Sequence, residues 1–183
     1  MDSLLRTTLL KLAVPAAAIA IALVVSRLRG LSWRENLGFR IPSARATLGW
    51  LAIWAGWIAA GELLIGALDL DQAKAWPEYP PLVVGLRILA IGLVGPVAEE
   101  LVMRGLVLDR LRRTALGAAG AIGVVAVFWA LLHWSYGPGT LALIAADGIL
   151  LGIARHRTGS LWVPIGMHVL GNLFSIGQSL GLW

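Results

Sequence analysis

Apolar runs long enough to cross a bilayer recur along this chain, and no other feature limits its fold as strongly. About 20 predominantly apolar residues span the hydrocarbon core as an α-helix. Runs of that order cover residues 8–26, 47–68, 81–112, 116–135, 139–154 and 160–181. The reading is an all-α, polytopic transmembrane helical bundle of about six spans. Composition agrees. Only 14% of the 183 residues are charged, against about 25% in a soluble domain, and the mean hydropathy is +0.82. The 22 glycines fall largely inside the runs, where small residues let helices approach closely.

A formal net charge of +5 raises the question of nucleic acid. The arginines, however, cluster in short loops: Arg27 to Arg45, then Arg110, Arg112 and Arg113, then Arg155 and Arg157. That is the positive-inside pattern, and nucleic acid is not an expected partner. The same loops predict a cytoplasmic arginine face with both termini outside, although Arg6 and Lys11 pull mildly the other way. Those two residues give the first run a signal-peptide-like start. Arginines follow the run and no small-residue cleavage site is evident, so it reads as a retained helix. With no cysteine, disulfides, thiolate metal sites and a cysteine nucleophile are excluded.

Two regions follow. Residues 1–46 hold an N-terminal transmembrane helix, with Pro15 as a candidate kink, and a basic juxtamembrane linker. Residues 47–183 form the transmembrane helical core. The linker is expected to carry a short interfacial helix with Trp33, Leu37 and Phe39 in contact with lipid. An acidic, proline-rich loop, "DLDQAKAWPEYPP", separates the second and third spans.

Ionisable groups inside a bilayer cost at least a few kcal/mol and mark function. In "AEELVMRG", Glu99, Glu100 and Arg104 lie within six residues. Glu100 and Arg104 are one helical turn apart and can pair. Two adjacent carboxylates in a low dielectric do not both ionise easily, and a carboxylate so poised can act as a general base for water. The plainer reading is a helix end with snorkelling charges. His133 stands near the end of the fourth run, in "FWALLHW", where interfacial decoration is the alternative. His168 and Asn172, in "GMHVLGN", share a helix face, with Gly166 and Gly171 leaving room for another helix. Such a pair can glue helices together or stabilise an oxyanion. Glu62 and Asp147 are single buried-acid candidates of second rank.

Taken in order, these motifs resemble the CAAX protease and bacteriocin-processing family of intramembrane proteases, also called the Abi family. "EELVMR" matches its Glu-Glu-x-x-x-Arg motif, and "HVLGN" its His-x-x-x-Asn motif. At the second motif Phe128 lies five residues before His133, while Trp129 takes the usual aromatic place four before it. The resemblance covers about residues 80–180. It implies a catalytic cavity inside the bundle and endopeptidase activity on a membrane-associated protein or peptide precursor. Carried over, Glu99 and Glu100 activate water, Arg104 holds the acidic pair, His133 orients the water, and His168 with Asn172 stabilises the oxyanion. The cofactor is either none or a divalent metal such as zinc, for which Glu99, His133 and His168 are the ligand set. The setting implied is a bacterial inner membrane. Two other readings compete: a non-proteolytic immunity or scaffold protein on the same fold, and a small proton-coupled transporter. One difficulty stands. Simple spans put Glu99 and Glu100 at or below mid-depth but His133 near the outer surface, so the fourth helix must be tilted, displaced or differently bounded.

Overall fold

The structure, a computed structural model, describes residues 2–70 and 75–183. Residues 71–74, in the acidic loop, lie outside it. Among the described residues there are six helices and no strand: α1 (Asp2–Leu28), α2 (Ala44–Ala67), α3 (Pro81–Leu111), α4 (Gly117–Leu131), α5 (Pro138–Thr158) and α6 (Trp162–Ser179). Of these, α1, α2, α3 and α5 are each long and apolar enough to cross a membrane. Local chemistry sets the ends. Ser43 caps α2 by accepting the Ala46 N–H. Pro81 and Pro138 stand in the first turns of α3 and α5, where a missing N–H is harmless. Gly159 closes α5 in the left-handed conformation, φ 65°, which suits glycine.

The loops segregate as the arginine pattern predicts. On one face Leu161 N–H donates to Gly38 O at 2.7 Å, Ser160 Oγ to Arg40 O at 2.6 Å, and Arg155 Nη2 to Asn36 O at 3.2 Å. These bonds bring the α1–α2 and α5–α6 loops together. On the opposite face Trp76 N–H donates to Ser179 O at 2.8 Å. There Leu70 also packs against Gly139.

The interfacial helix expected in the basic linker does not form; residues 33–36 make a turn instead. Leu37 is fully buried rather than laid on lipid, packed with Ala22, Leu101, Leu161 and Ile165. Tertiary burial of one leucine outweighs a weak interfacial helix. Lipid-facing leucines, isoleucines and valines line the outer sides of α1 and α2 instead.

The site depends on two features of packing. First, α4 and α5 touch through glycine: a Cβ at Gly148 would lie 2.9 Å from both Cα and Cβ of Ala126, and one at Gly152 would lie 2.9 Å from Ile122 Cγ2. Gly171 plays the same part against Trp54 of α2, but Gly166 faces open space, so only one of the two glycines flanking His168 admits a neighbour. Second, α3 contains two π-helical segments, Ile88–Val94 and Leu101–Val107, either side of Gly95–Glu100. Inserted π turns are rare and frequent at functional sites. A largely apolar run with no regular polar face gives no periodic signal of them.

Candidate active site

The two neighbouring carboxylates of α3 have separate surroundings. Glu100 is fully buried. Its Oε1 accepts from Arg104 Nη1 at 2.8 Å and lies 2.9 Å from His168 Nδ1. A carboxylate oxygen already accepting from Arg104 can only accept again, so Nδ1 carries the hydrogen and Nε2 is the free ring atom. Arg104, also fully buried, donates through Nη2 to Gly148 O on α5 at 3.2 Å. Arg104 thus holds Glu100 but makes no hydrogen bond to Glu99, which narrows the expectation that it restrains both acids.

Glu99 is half-buried, and its Oε2 accepts from Trp129 Nε1 at 2.6 Å. Trp129 is the hub. Its ring meets those of His133 and His168 edge-on, with centroids 5.2 Å away in each case, and Arg104 Cζ sits 4.8 Å above it. One indole therefore touches all three motifs. Trp129 is buried while Phe128 is 52% exposed, so Trp129 is the aromatic that belongs to the His133 motif. Sequence reasoning noted its spacing but did not count it among the site residues.

The fourth helix is differently bounded from the expected run: it ends at Leu131, before His133, rather than at 135. With 15 residues, α4 rises about 22 Å, short of a hydrocarbon core about 30 Å thick. His133 follows its last turn, with Nδ1 bonded to Trp129 O at 3.0 Å and Nε2 free. Non-helical backbone at membrane depth is tolerated where protein buries it or where it lines a wet cavity.

Asn172, one turn beyond His168 on α6, donates Nδ2 to Ile91 O at 2.8 Å. The reason lies in α3. Gly95 sends its N–H to Ala90 O, and Pro96 has no N–H to offer. Ile91 O thereby loses its helical donors, and Asn172 supplies one. The second Asn172 N–H remains for other work. Asp147, next to Gly148, accepts from Trp57 Nε1 and lies within electrostatic range of His168, Arg104 and His133. Glu62 is not brought to the cluster; it accepts from Gln178 Nε2 at 2.7 Å.

For the conditional metal set, His133 and His168 each engage Nδ1 and leave Nε2 uncommitted, while Glu99 accepts from Trp129. Among the described residues no three His, Asp or Glu side chains group as metal ligands.

Comparison with known proteins gives three findings. Residues 81–174, from the start of α3 into α6, match the family described as type II CAAX prenyl endopeptidase, Rce1-like. The chain is 31% identical over 98 residues to the "Putative membrane peptidase YdiL" of Bacillus subtilis strain 168, a stretch covering 53% of this chain and 38% of that protein. The matched stretch is thus well under two thirds of that relative's length. No solved structure matches.

Proposed function

We propose that this chain, which belongs to the Rce1-like family of type II CAAX prenyl endopeptidases, hydrolyses a peptide bond of a membrane-associated protein or peptide precursor, with Glu99 as the general base. The observation that carries this reading is the division of labour between the two carboxylates. Glu100 is fully buried: one oxygen holds Arg104 and His168, and the other, without a partner among the described residues, is sealed from water. Glu99 is partly exposed, and among the described residues only its Oε2 accepts a hydrogen bond. Access to water favours Glu99 as the base.

The remaining roles follow from the free atoms. His133 Nε2 accepts from the attacking water and aligns it beside Glu99. As water adds to the scissile carbonyl, Glu99 takes its proton and negative charge develops on the carbonyl oxygen. The second Asn172 N–H stabilises that oxygen, and His168 joins it through Nε2 when its ring carries both protons, Nδ1–H staying on Glu100. The proton held by Glu99 then goes to the leaving amine, and both fragments depart. Arg104 and Glu100 do not touch the substrate; they fix the His168 ring. No step here calls on a metal.

The test is cleavage of membrane-anchored reporter peptides by purified protein in detergent, comparing wild type with Glu99→Ala, each with and without chelator. Loss in the folded variant and full activity with chelator is the expected result. Activity lost to chelator and restored by zinc overturns the metal-free mechanism, and an active Glu99→Ala variant overturns the role of Glu99.

A further inference from the structure

On the arginine-rich face a cavity of about 210 Å³ opens below Arg104. Four arginines line it, Arg40 in the α1–α2 loop, Arg104 on α3, Arg112 after α3 and Arg155 on α5, against two acids, Glu35 and Asp109. Arg155 is the unusual one. It is only 6% exposed, and among the described residues it makes no ion pair. Nη2 donates to Asn36 O, while Nε has no partner among the described residues. The acid within range, Asp109, already accepts from Arg112 and Arg113. Glu35, also on the lining, is exposed and among the described residues makes no ion pair.

The backbone is shaped around this guanidinium. Gly38 has φ +83°, and a Cβ there would stand 2.5 Å from Arg155 Cζ. Its carbonyl is fixed by the Leu161 N–H. The fold thus reserves space for a buried guanidinium whose nearby acid, Asp109, is shared with Arg112 and Arg113. Removing a charge from water without a partner is strongly unfavourable. A planar fork with unused donors, beside two further arginines, matches the oxygens of a phosphate group.

We propose that this cavity binds a phosphate group, with Arg155 as the principal ligand and Arg40 and Arg112 around it. Two sources share that chemistry: the headgroup of an anionic phospholipid, at a face that positive loops place against the anionic leaflet, and inorganic phosphate. Because Arg104 forms part of the lining, the occupant sits beside the arginine that holds Glu100.

The test is thermal unfolding of the purified protein in neutral detergent, titrated separately with phosphatidylglycerol, phosphatidylcholine and inorganic phosphate. Wild type is compared with Arg155→Gln, Arg40→Gln and Arg113→Gln; Arg113 is half-exposed and not part of the lining. A saturable rise in Tm with phosphatidylglycerol, weakened about tenfold or more in apparent affinity in Arg155→Gln or Arg40→Gln but not in Arg113→Gln, is the expected result. If inorganic phosphate alone gives that pattern, the ligand is the free anion. Arg40→Gln decides the matter where Arg155→Gln does not fold. Equal responses in wild type and both lining variants, an equal loss in Arg113→Gln, or no response to any probe overturns the proposal.

Discussion

The indole N–H of Trp129 donates to Oε2 of Glu99 at 2.6 Å. This bond holds the proposed base at the junction of α3 and α4. Trp129→Phe keeps a six-membered aromatic ring but deletes the donor together with the five-membered ring that carries it, so Tm is read beside kcat. A hydrogen bond to a charged group is worth about 1.5–3 kcal/mol, so kcat should fall about 10- to 100-fold, with KM little changed. Phe128→Ala, on the exposed side of the same helix, should leave kcat within about twofold. Steady-state kinetics on a reporter peptide checks both; equal effects at the two positions sink the idea.

Glu99 and Glu100 should fail in different ways. Glu99→Gln should retain the wild-type Tm and lose about 10²- to 10⁴-fold in kcat, the contribution of a general base. Glu100→Gln leaves Arg104 buried without its carboxylate, so it should destabilise by about 3–5 kcal/mol. Thermal unfolding in detergent separates them. A Glu100→Gln variant as stable as wild type contradicts the buried pair.

Close approach of α4 and α5 rests on Gly148. Gly148→Ala places a methyl against the Ala126 backbone, and such overpacking costs about 1–3 kcal/mol. It also displaces the carbonyl that receives Arg104, so activity should fall with stability. Gly123→Ala on α4, which meets nothing within 4 Å, should be neutral in both assays.

Asn172 and Pro96 should be coupled. Asn172→Ala leaves Ile91 O without its side-chain donor and should cost about 1–3 kcal/mol. Pro96→Ala restores a main-chain N–H, so the stability cost of Asn172→Ala should shrink in the double variant. A double-mutant cycle reads this directly; additive effects would show that Asn172 does not serve that carbonyl. Any loss of activity that persists in the double variant reports the second amide hydrogen.

Much of this architecture is written in uninterrupted apolar runs. In lipid the backbone must satisfy itself, so run length locates helices well, as α1, α3 and α5 show. The residues that meet around Trp129 could be picked out as candidates, because a Glu-Glu pair one turn from an arginine is costly in lipid, whereas His133 alone reads equally as an interfacial residue. Other elements depend on partners distant in sequence. Leu37 looked interfacial until α6 provided Leu161 and Ile165 to cover it. Trp129 looked like one of nine tryptophans, and only the crossing of α3 and α6 makes it the hub. The two π segments leave no mark in a largely apolar stretch that has no regular polar face. The proposed phosphate cavity was hidden for another reason: its arginines come from segments distant in sequence and read singly as topology signals.

The pairing of Glu100 with Arg104 also bears on how the protein is made. Both residues lie on α3, so the helix brings its own counter-charge when it leaves the translocon. Each would otherwise disfavour insertion by roughly 2.5–3.5 kcal/mol at mid-helix. Paired across one turn, they enter lipid as a neutral unit before α5 and α6 have been synthesised. The carbonyl of Gly148 and the ring of His168 are later arrivals, docking onto a pair already formed. On this view, biogenesis assembles the charged centre first and the rest of the pocket around it.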